Sequence, residues 1–314
     1  MISTKKTKKV LISIIIAVLV FVIVSFSATK IVYDNVFSRY DCGLSVDSKE
    51  LKDIVDTRKD FKYPCKDNTL TGYLYESSAD IKKNTLIVLA PGYNSCADGY
   101  LWQIKELLDY GWSVFAFDTT GCCNSEGDSA LGFPQEIIDL NATLEFINMS
   151  NKFNFENIAL LGHSRGGYAA CCALSTDYDI SAVVSVSGIN SAMEGVIGTS
   201  TKFVGNLAYA NYGFLWLYQS MIFGPDVVSL RADKVLSQSD TPVLIIHGED
   251  DNNVPIDKFS IISYKEKINN SKVEYYICSS PDNSGHTDLL FEDDNTANNR
   301  VISKINDFLS NSIK

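Results

Sequence analysis

The alternation of apolar and polar positions divides the chain into a leader and a body. Val10 to Thr29 is an uncharged run dense in Ile, Val and Leu, preceded by Lys5, Lys6, Lys8 and Lys9. A run of that length predicts a helix able to span a hydrocarbon core, with the basic cluster held on the cytoplasmic side. A cleaved signal peptide is the alternative, with Ser25-Phe26-Ser27 as the cleavage site; the length of the run favours an uncleaved anchor. Either version places the body outside the cytoplasm. Ile31 to Asp60 is polar and charged and predicts a stalk followed by a first helix.

From Phe61 onward the pattern changes. Lys66-Asp67-Asn68-Thr69 before Leu70–Tyr75 predicts an antiparallel hairpin. Short continuous apolar runs then recur near Ile87, Val114, Leu160, Val184, Leu244 and Tyr275, separated by helix-length segments. Strands buried on both faces read in this way, so the expected fold class is α/β, with a mostly parallel central sheet and helices on both faces. The expected boundaries are a basic tail at 1–9, a membrane-spanning segment at 10–29, stalk and first helix at 30–60, and one domain at 61–314. About fifty residues separate the run at Ala182 from the one at Pro242, too many for one crossover helix. A helical cap is therefore expected at about 189–238. Within Gly195–Pro225 Lys202 is the only charged residue, among Phe203, Tyr209, Tyr212, Phe214, Trp216, Tyr218 and Phe223. Three readings are open for these aromatics: lining a substrate pocket, packing within the insertion, and contact with a membrane surface. The first is preferred and implies a substrate, small molecule or peptide, with an apolar acyl or aromatic group.

Composition adds limits. The formal net charge is −11, and the leader holds lysines and no acid, so the body is more acidic than the whole. No basic stripe for nucleic acid is present. Eight cysteines in an exported chain allow disulfides, Cys42 with Cys65 and Cys96 with Cys122 or Cys123; Cys171 and Cys172 read as buried small side chains. With no C-x-x-C pair and only three histidines, no metal site and no cofactor is expected.

The most informative stretch is Leu160-Leu161-Gly162-His163-Ser164-Arg165-Gly166-Gly167. A serine flanked by glycines between an apolar run and a small-residue helix predicts a sharp strand-to-helix turn that lifts the hydroxyl clear of the sheet. Ser164 is the candidate nucleophile, and the backbone N–H of Arg165 at the helix start is a candidate oxyanion donor. Such a hydroxyl needs a base. His163 adjoins the serine and reads as a packing or hydrogen-bonding residue, and His247 ends an apolar run before a glycine, as a structural turn residue does. His286, in the loop Asn283-Ser284-Gly285-His286 after a strand-like run, is the candidate base.

The segment His247-Gly248-Glu249-Asp250-Asp251-Asn252-Asn253-Val254-Pro255 makes the pattern specific. It resembles the acid loop of α/β-hydrolases, H-G-x-x-D-x-x-V-P, and that spacing implies Asp251 as the third member, with Asp250 next. The resemblance runs from about Phe61 to the C-terminus, and the order serine, acid, histidine is the order of that family. Ala90-Pro91-Gly92-Tyr93 resembles the turn that supplies the second oxyanion donor, with Pro91 where relatives commonly carry histidine; this implies Tyr93, with Asn94 second. Asp118 to Gly127 resembles the D-x-x-G-x-G-x-S-x-G loop, with Cys123 where a glycine is usual, and is read as structural. The nearest pattern is that of serine-aminopeptidase-like proteins and extracellular acyl hydrolases. It implies a Ser–Asp–His hydrolase of esters, thioesters or amides, with an acyltransferase or a non-catalytic tethered binding protein as alternatives.

Overall fold

The computed structural model describes residues 4–42, 46, 48–79, 83–279, 283–293 and 296–313. The leader forms one long helix, α1 (Thr4–Val36), whose segment from Thr7 to Val36 is long and apolar enough to cross a membrane. The expected stalk is not seen at its start. The helix runs on through Ile31 to Val36, and Tyr33 and Phe37 are buried in the domain core. Thr29, Tyr33 and Phe37 recur at four-residue spacing, so one stripe of the helix end faces the domain. The short helix α2 (Lys49–Thr57) follows.

The hairpin β1 (Lys59–Cys65) and β2 (Asn68–Tyr75) enters the sheet antiparallel. Next come β3 (Thr85–Ala90), α3 (Leu101–Asp109), β4 (Ser113–Asp118), α4 (Phe133–Met149), β5 (Asn157–His163), α5 (Arg165–Cys172) and β6 (Ala182–Val186). The insertion before the next strand holds α6 (Ala192–Val204), α7 (Leu207–Ala210), α8 (Tyr212–Phe223), α9 (Pro225–Val228) and α10 (Ala232–Leu236). The chain ends through β7 (Val243–Gly248), β8 (Val273–Cys278), the small pair β9 (Phe291–Asp293) and β10 (Thr296–Ala297), and α11 (Asn299–Ser312).

The main sheet has the order β1-β2-β4-β3-β5-β6-β7-β8 and is parallel from β4 to β8. Every residue of β3, β4 and β7 is buried, because helices cover both faces. Alternate residues of β3 divide between two cores. Leu86 and Val88 meet Leu140 and Leu144 of α4 and Tyr168 of α5, while Ile87 and Leu89 meet Ile104 of α3 and Ile305 of α11.

One ion pair joins two helices inside the first core. Arg165 Nε lies 2.8 Å from Glu136 Oε2, with the side chains 1% and 0% exposed. The guanidinium also donates to Thr119 Oγ1 at 3.1 Å and to the Tyr40 hydroxyl at 3.3 Å. Glu136→Ala leaves a charge buried and unpartnered and is expected to cost about 3–5 kcal/mol of stability; replacing both partners by apolar residues of similar volume should restore most of it. Chemical denaturation of the wild type and the two variants measures the difference.

Candidate active site

The site grows from the end of β5. Ser164, between β5 and α5, has φ 54° and ψ −116°, a left-handed conformation that costs of order 1–3 kcal/mol for a residue with a side chain. The flanking glycines allow it. A Cβ on Gly162 would come within 2.1 Å of the Gly166 carbonyl oxygen, and one on Gly166 within 2.1 Å of the Ala90 carbonyl oxygen. Only bare backbone lets strand, turn and helix approach so closely.

The structure brings the three separated side chains together. The Ser164 hydroxyl donates to His286 Nε2 at 2.9 Å, and His286 Nδ1–H donates to Asp251 Oδ2 at 2.7 Å. The Asp251 side chain is fully buried and that of His286 is 12% exposed. The other oxygen of Asp251 accepts from the N–H groups of Asn253 and Val254, each at 2.8 Å. Burial pushes the Asp251 carboxyl up, but the hydrogen bond and charge of His286, the Val254 N–H and His247 together hold it below the usual carboxylate range. Asp250 is engaged elsewhere, accepting from the Ser284 hydroxyl at 2.6 Å.

The remaining histidines support this line. His163 Nε2–H donates to the His286 carbonyl at 3.1 Å, and the Ser187 hydroxyl donates to the same oxygen at 3.2 Å. His163 Nδ1 accepts from the Tyr100 hydroxyl at 2.9 Å, whose oxygen accepts from Gly92 N–H at 2.8 Å. Burial pushes the His163 pKa down to about 3, so the ring stays neutral and keeps this donor pattern. His247, buried beside Asp251, donates from Nε2 to the Val254 carbonyl at 2.8 Å and fixes the acid loop. Tyr100, Ser187 and Gly92 carried no sequence signal for this supporting role, because their contacts form only when three loops meet.

Tyr93 and Arg165 flank the serine. Arg165 is the first residue of α5, and the turn after β3 abuts Ser164 so closely that a methyl group on Gly92 would lie 3.5 Å from the Ser164 Cβ. The Tyr93 ring lies edge-on to Phe37, Tyr40 and Phe133. Asp118 is buried and accepts from the Tyr73 hydroxyl at 2.8 Å and from Asn124 N–H at 3.2 Å, while the Ser125 hydroxyl donates to its carbonyl at 2.6 Å. These are contacts of a structural loop.

Ser164 and His286 open onto a cavity of about 480 Å³, whose wall includes Tyr93, Phe133, Ile189, Phe259 and Leu290. The cap contributes α6, through Glu194, Gly195, Gly198, Thr199 and Lys202. The expectation for the aromatic cap residues is corrected here. None of Tyr209, Tyr212, Phe214, Trp216, Tyr218 and Phe223 lines the cavity, and the Phe203 side chain lies outside the described residues. Instead α8 lies along α1, with ring contacts Phe214–Phe21 at 6.2 Å and Tyr218–Phe26 at 5.8 Å. An uncharged helix needs an apolar neighbour on more than one side, and α1 supplies one.

No disulfide joins the eight cysteines; of the expected partners, Cys96 comes within 4.8 Å of Cys123, while Cys42 and Cys65 are not brought together. Cys65 meets Asp139 Oδ1 at 3.3 Å, away from Cys42, because β1 carries it toward α4. Cys42 lies instead 3.7 Å from Cys122 and within 4.8 Å of Cys96 and Cys123. Cys171 and Cys172 are buried, as expected.

Comparison with known proteins agrees with this architecture. Residues 85–221 match a family described as alpha/beta hydrolase fold. The esterase Pf2001 of Pyrococcus furiosus superposes with a TM-score of 0.64 at 20% identity, covering 88% of this chain and 100% of its own. The α/β-hydrolase GrgF of a Penicillium species gives 0.60 at 19% identity over 82% of this chain and 99% of its own. Est1E of Butyrivibrio proteoclasticus, with ferulic acid bound, gives 0.59 at 16% identity over 81% and 99%. No curated protein matches the chain. Strand order, the strained turn after β5 and the family match over residues 85–221 lead to one assignment: the chain has the α/β-hydrolase fold.

Proposed function

We propose that this protein is a serine hydrolase that cleaves an ester, thioester or amide through an acyl-enzyme. The observation that carries the reading is the unbroken line of contacts from Ser164 Oγ through the His286 ring to buried Asp251, at 2.9 and 2.7 Å. In the first step His286 Nε2 takes the Ser164 proton as Oγ attacks the carbonyl carbon, and Asp251 offsets the charge gained by the ring. The N–H groups of Tyr93 and Arg165 are the proposed oxyanion donors, one such donor contributing about 3 kcal/mol. His286 then returns the proton to the leaving group, and a water activated by the same nitrogen releases the acyl group. The mixed aromatic and aliphatic wall fits an apolar acyl or aromatic group. Ester cleavage is the preferred class, because the similar protein Pf2001 carries the name esterase.

Ser164→Ala is expected to lose labelling by a fluorophosphonate probe and about 10⁶-fold in turnover. Asp251→Asn should lose about 10⁴-fold while retaining the fold, and Ser125→Ala should still be labelled. Probe labelling and hydrolysis of short p-nitrophenyl esters measure all three. Undiminished labelling of Ser164→Ala overturns the reading.

We further propose that α1 is a membrane anchor, with the domain on the extracytoplasmic side and α8 seated in the outer leaflet. The support is positional. The uncharged run Val10–Thr29 rises about 30 Å, the thickness of a hydrocarbon core, so Phe21 lies roughly 12 Å inside its outer end. Phe214 of α8 touches Phe21. The outward face of α8 presents Tyr212, Trp216, Leu217 and Met221 to the surroundings, an aromatic and aliphatic set suited to the interface. In nanodiscs with brominated acyl chains, Trp216 emission should be quenched and the quenched component should vanish in Trp216→Phe, leaving Trp102 and Trp112. Membrane-integrated protein with no quenching of Trp216 would refute the seat but not the anchor. Protein released from membranes by carbonate would refute both.

A further inference from the structure

Three segments remote in sequence each bring a thiol to one point at the edge of the cavity. Cys42 lies on the connector between α1 and α2, Cys96 in the turn after β3, and Cys123 in the loop after β4; their Sγ atoms lie within 4.8 Å of one another. Polar contacts fix the connector there. Tyr40 N–H donates to the Gly121 carbonyl and Cys123 N–H to the Tyr40 carbonyl, both at 3.2 Å. The Arg39 guanidinium donates to the carbonyls of Cys123, Ser125 and Gly127 at 2.6, 3.0 and 2.9 Å. Cys42 N–H donates to Cys123 Sγ at 3.2 Å.

We propose that Cys42, Cys96 and Cys123 form a three-thiolate site for a soft divalent cation, zinc in the first instance. Sulfurs bound to one tetrahedral zinc at about 2.3 Å stand about 3.8 Å apart. Three thiols already within 4.8 Å reach that spacing through side-chain shifts of under an ångström. A disulfide needs one partner, whereas Cys42 meets three sulfurs, Cys122 at 3.7 Å included, and is joined to none. Thiols are weak hydrogen-bonding groups and gain little from one another, so three gathered at one point call for a ligand that binds sulfur. Binding replaces the S–H protons by one cation, with the protons passing to solvent and no change of oxidation state. The bound unit carries one net negative charge, which the Arg39 guanidinium beside the loop offsets. Because each thiol must lose its proton to bind, affinity should rise with pH. Cys42 lines the same cavity as Ser164, so an occupied site pins one wall of the pocket. The inference does not depend on the catalytic reading.

The test uses the full-length protein, reduced and metal-free. Cobalt(II) is expected to bind at one equivalent per chain with a thiolate-to-cobalt charge-transfer absorption that one equivalent of zinc abolishes. Cys42→Ser and Cys123→Ser should lose the band, and Cys278→Ser, on distant β8, should keep it. X-ray absorption on the zinc-loaded wild type should give a shell of three sulfurs at about 2.3 Å, a readout independent of any variant's folding. Absence of the charge-transfer band in folded wild type overturns the proposal. So does a count of six rather than eight thiols in protein isolated without reductant, chelated and denatured, because a disulfide would then occupy Cys42 or its neighbours.

Discussion

The backbone at Ser164 is held in a conformation that a serine does not adopt unaided, and most of the site follows from what holds it there. With φ at 54°, the turn points the side chain away from the sheet, toward the loops at the C-terminal ends of the strands. The strain persists because strand, turn and helix are in backbone contact on both sides of it, through Gly162 against Gly166 and Gly166 against Ala90. Ser164 N–H also donates to the Val186 carbonyl at 2.8 Å, tying the turn to β6. The buried Arg165–Glu136 pair then fixes the first residue of α5 against α4. The hydroxyl is thus positioned by the sheet itself, which suits a group that must meet two loops from other strands.

Those loops are positioned by a second, polar set of constraints. His286 sits in a loop after β8 that Leu289 and Leu290 anchor in the second core, and its carbonyl is held by His163 and Ser187 from the strand ends opposite. The residue beside the serine therefore braces the residue that faces it. Neutral His163 can do this because its other nitrogen accepts from Tyr100; a charged ring would lose that acceptor. Asp251 is fixed with equal redundancy by two backbone N–H groups and by the neighbouring His247. The ring of His286 is thereby held in one tautomer between an acceptor-only carboxylate and a hydroxyl.

Legibility in the sequence follows the range of the interactions. The turn at Ser164 was legible because its demands are local, two glycines and a strand-to-helix switch within eight residues. Asp251 was legible through spacing within one loop, and His286 because a chain with three histidines leaves little choice. The parallel strands announced themselves by burial on both faces. Glu136 was not legible, since an acid in the first turn of a helix ordinarily faces water and nothing local marks Arg165 as its partner. The thiol cluster was hidden for the same reason, its members coming from three loops with no shared spacing. The run from Thr29 to Phe37 could have been read correctly, because Thr29, Tyr33 and Phe37 mark one helical stripe that a polar stalk has no use for.

The cap shows why aromatic content alone does not point at a ligand. A helix such as α8, without a charged residue from Tyr212 to Phe223, has no polar face to give to water, so its rings say only that apolar partners lie on several sides. Its inner residues Leu215, Tyr218 and Phe223 are buried, α1 takes the side bearing Phe214, and Tyr212, Trp216, Leu217 and Met221 are left facing outward. The pocket is roofed instead by α6, where a Cβ on Gly195 would come within 2.6 Å of the Phe133 ring and one on Gly198 within 3.0 Å of the Phe259 ring, so larger side chains have little room. One insertion thus divides two tasks between neighbouring helices, the smaller residues shaping the cavity and the larger ones meeting α1. Because α6 and α8 touch each other, with Gln219 donating to the Met193 sulfur at 3.0 Å, α8 links the roof of the pocket to α1. On the proposed seat in the outer leaflet, the orientation of the cavity toward the bilayer is therefore set by α1, which meets α8 through Phe21 and Phe26 and beyond whose end Phe37 packs against Tyr93 and Phe133 of the pocket wall.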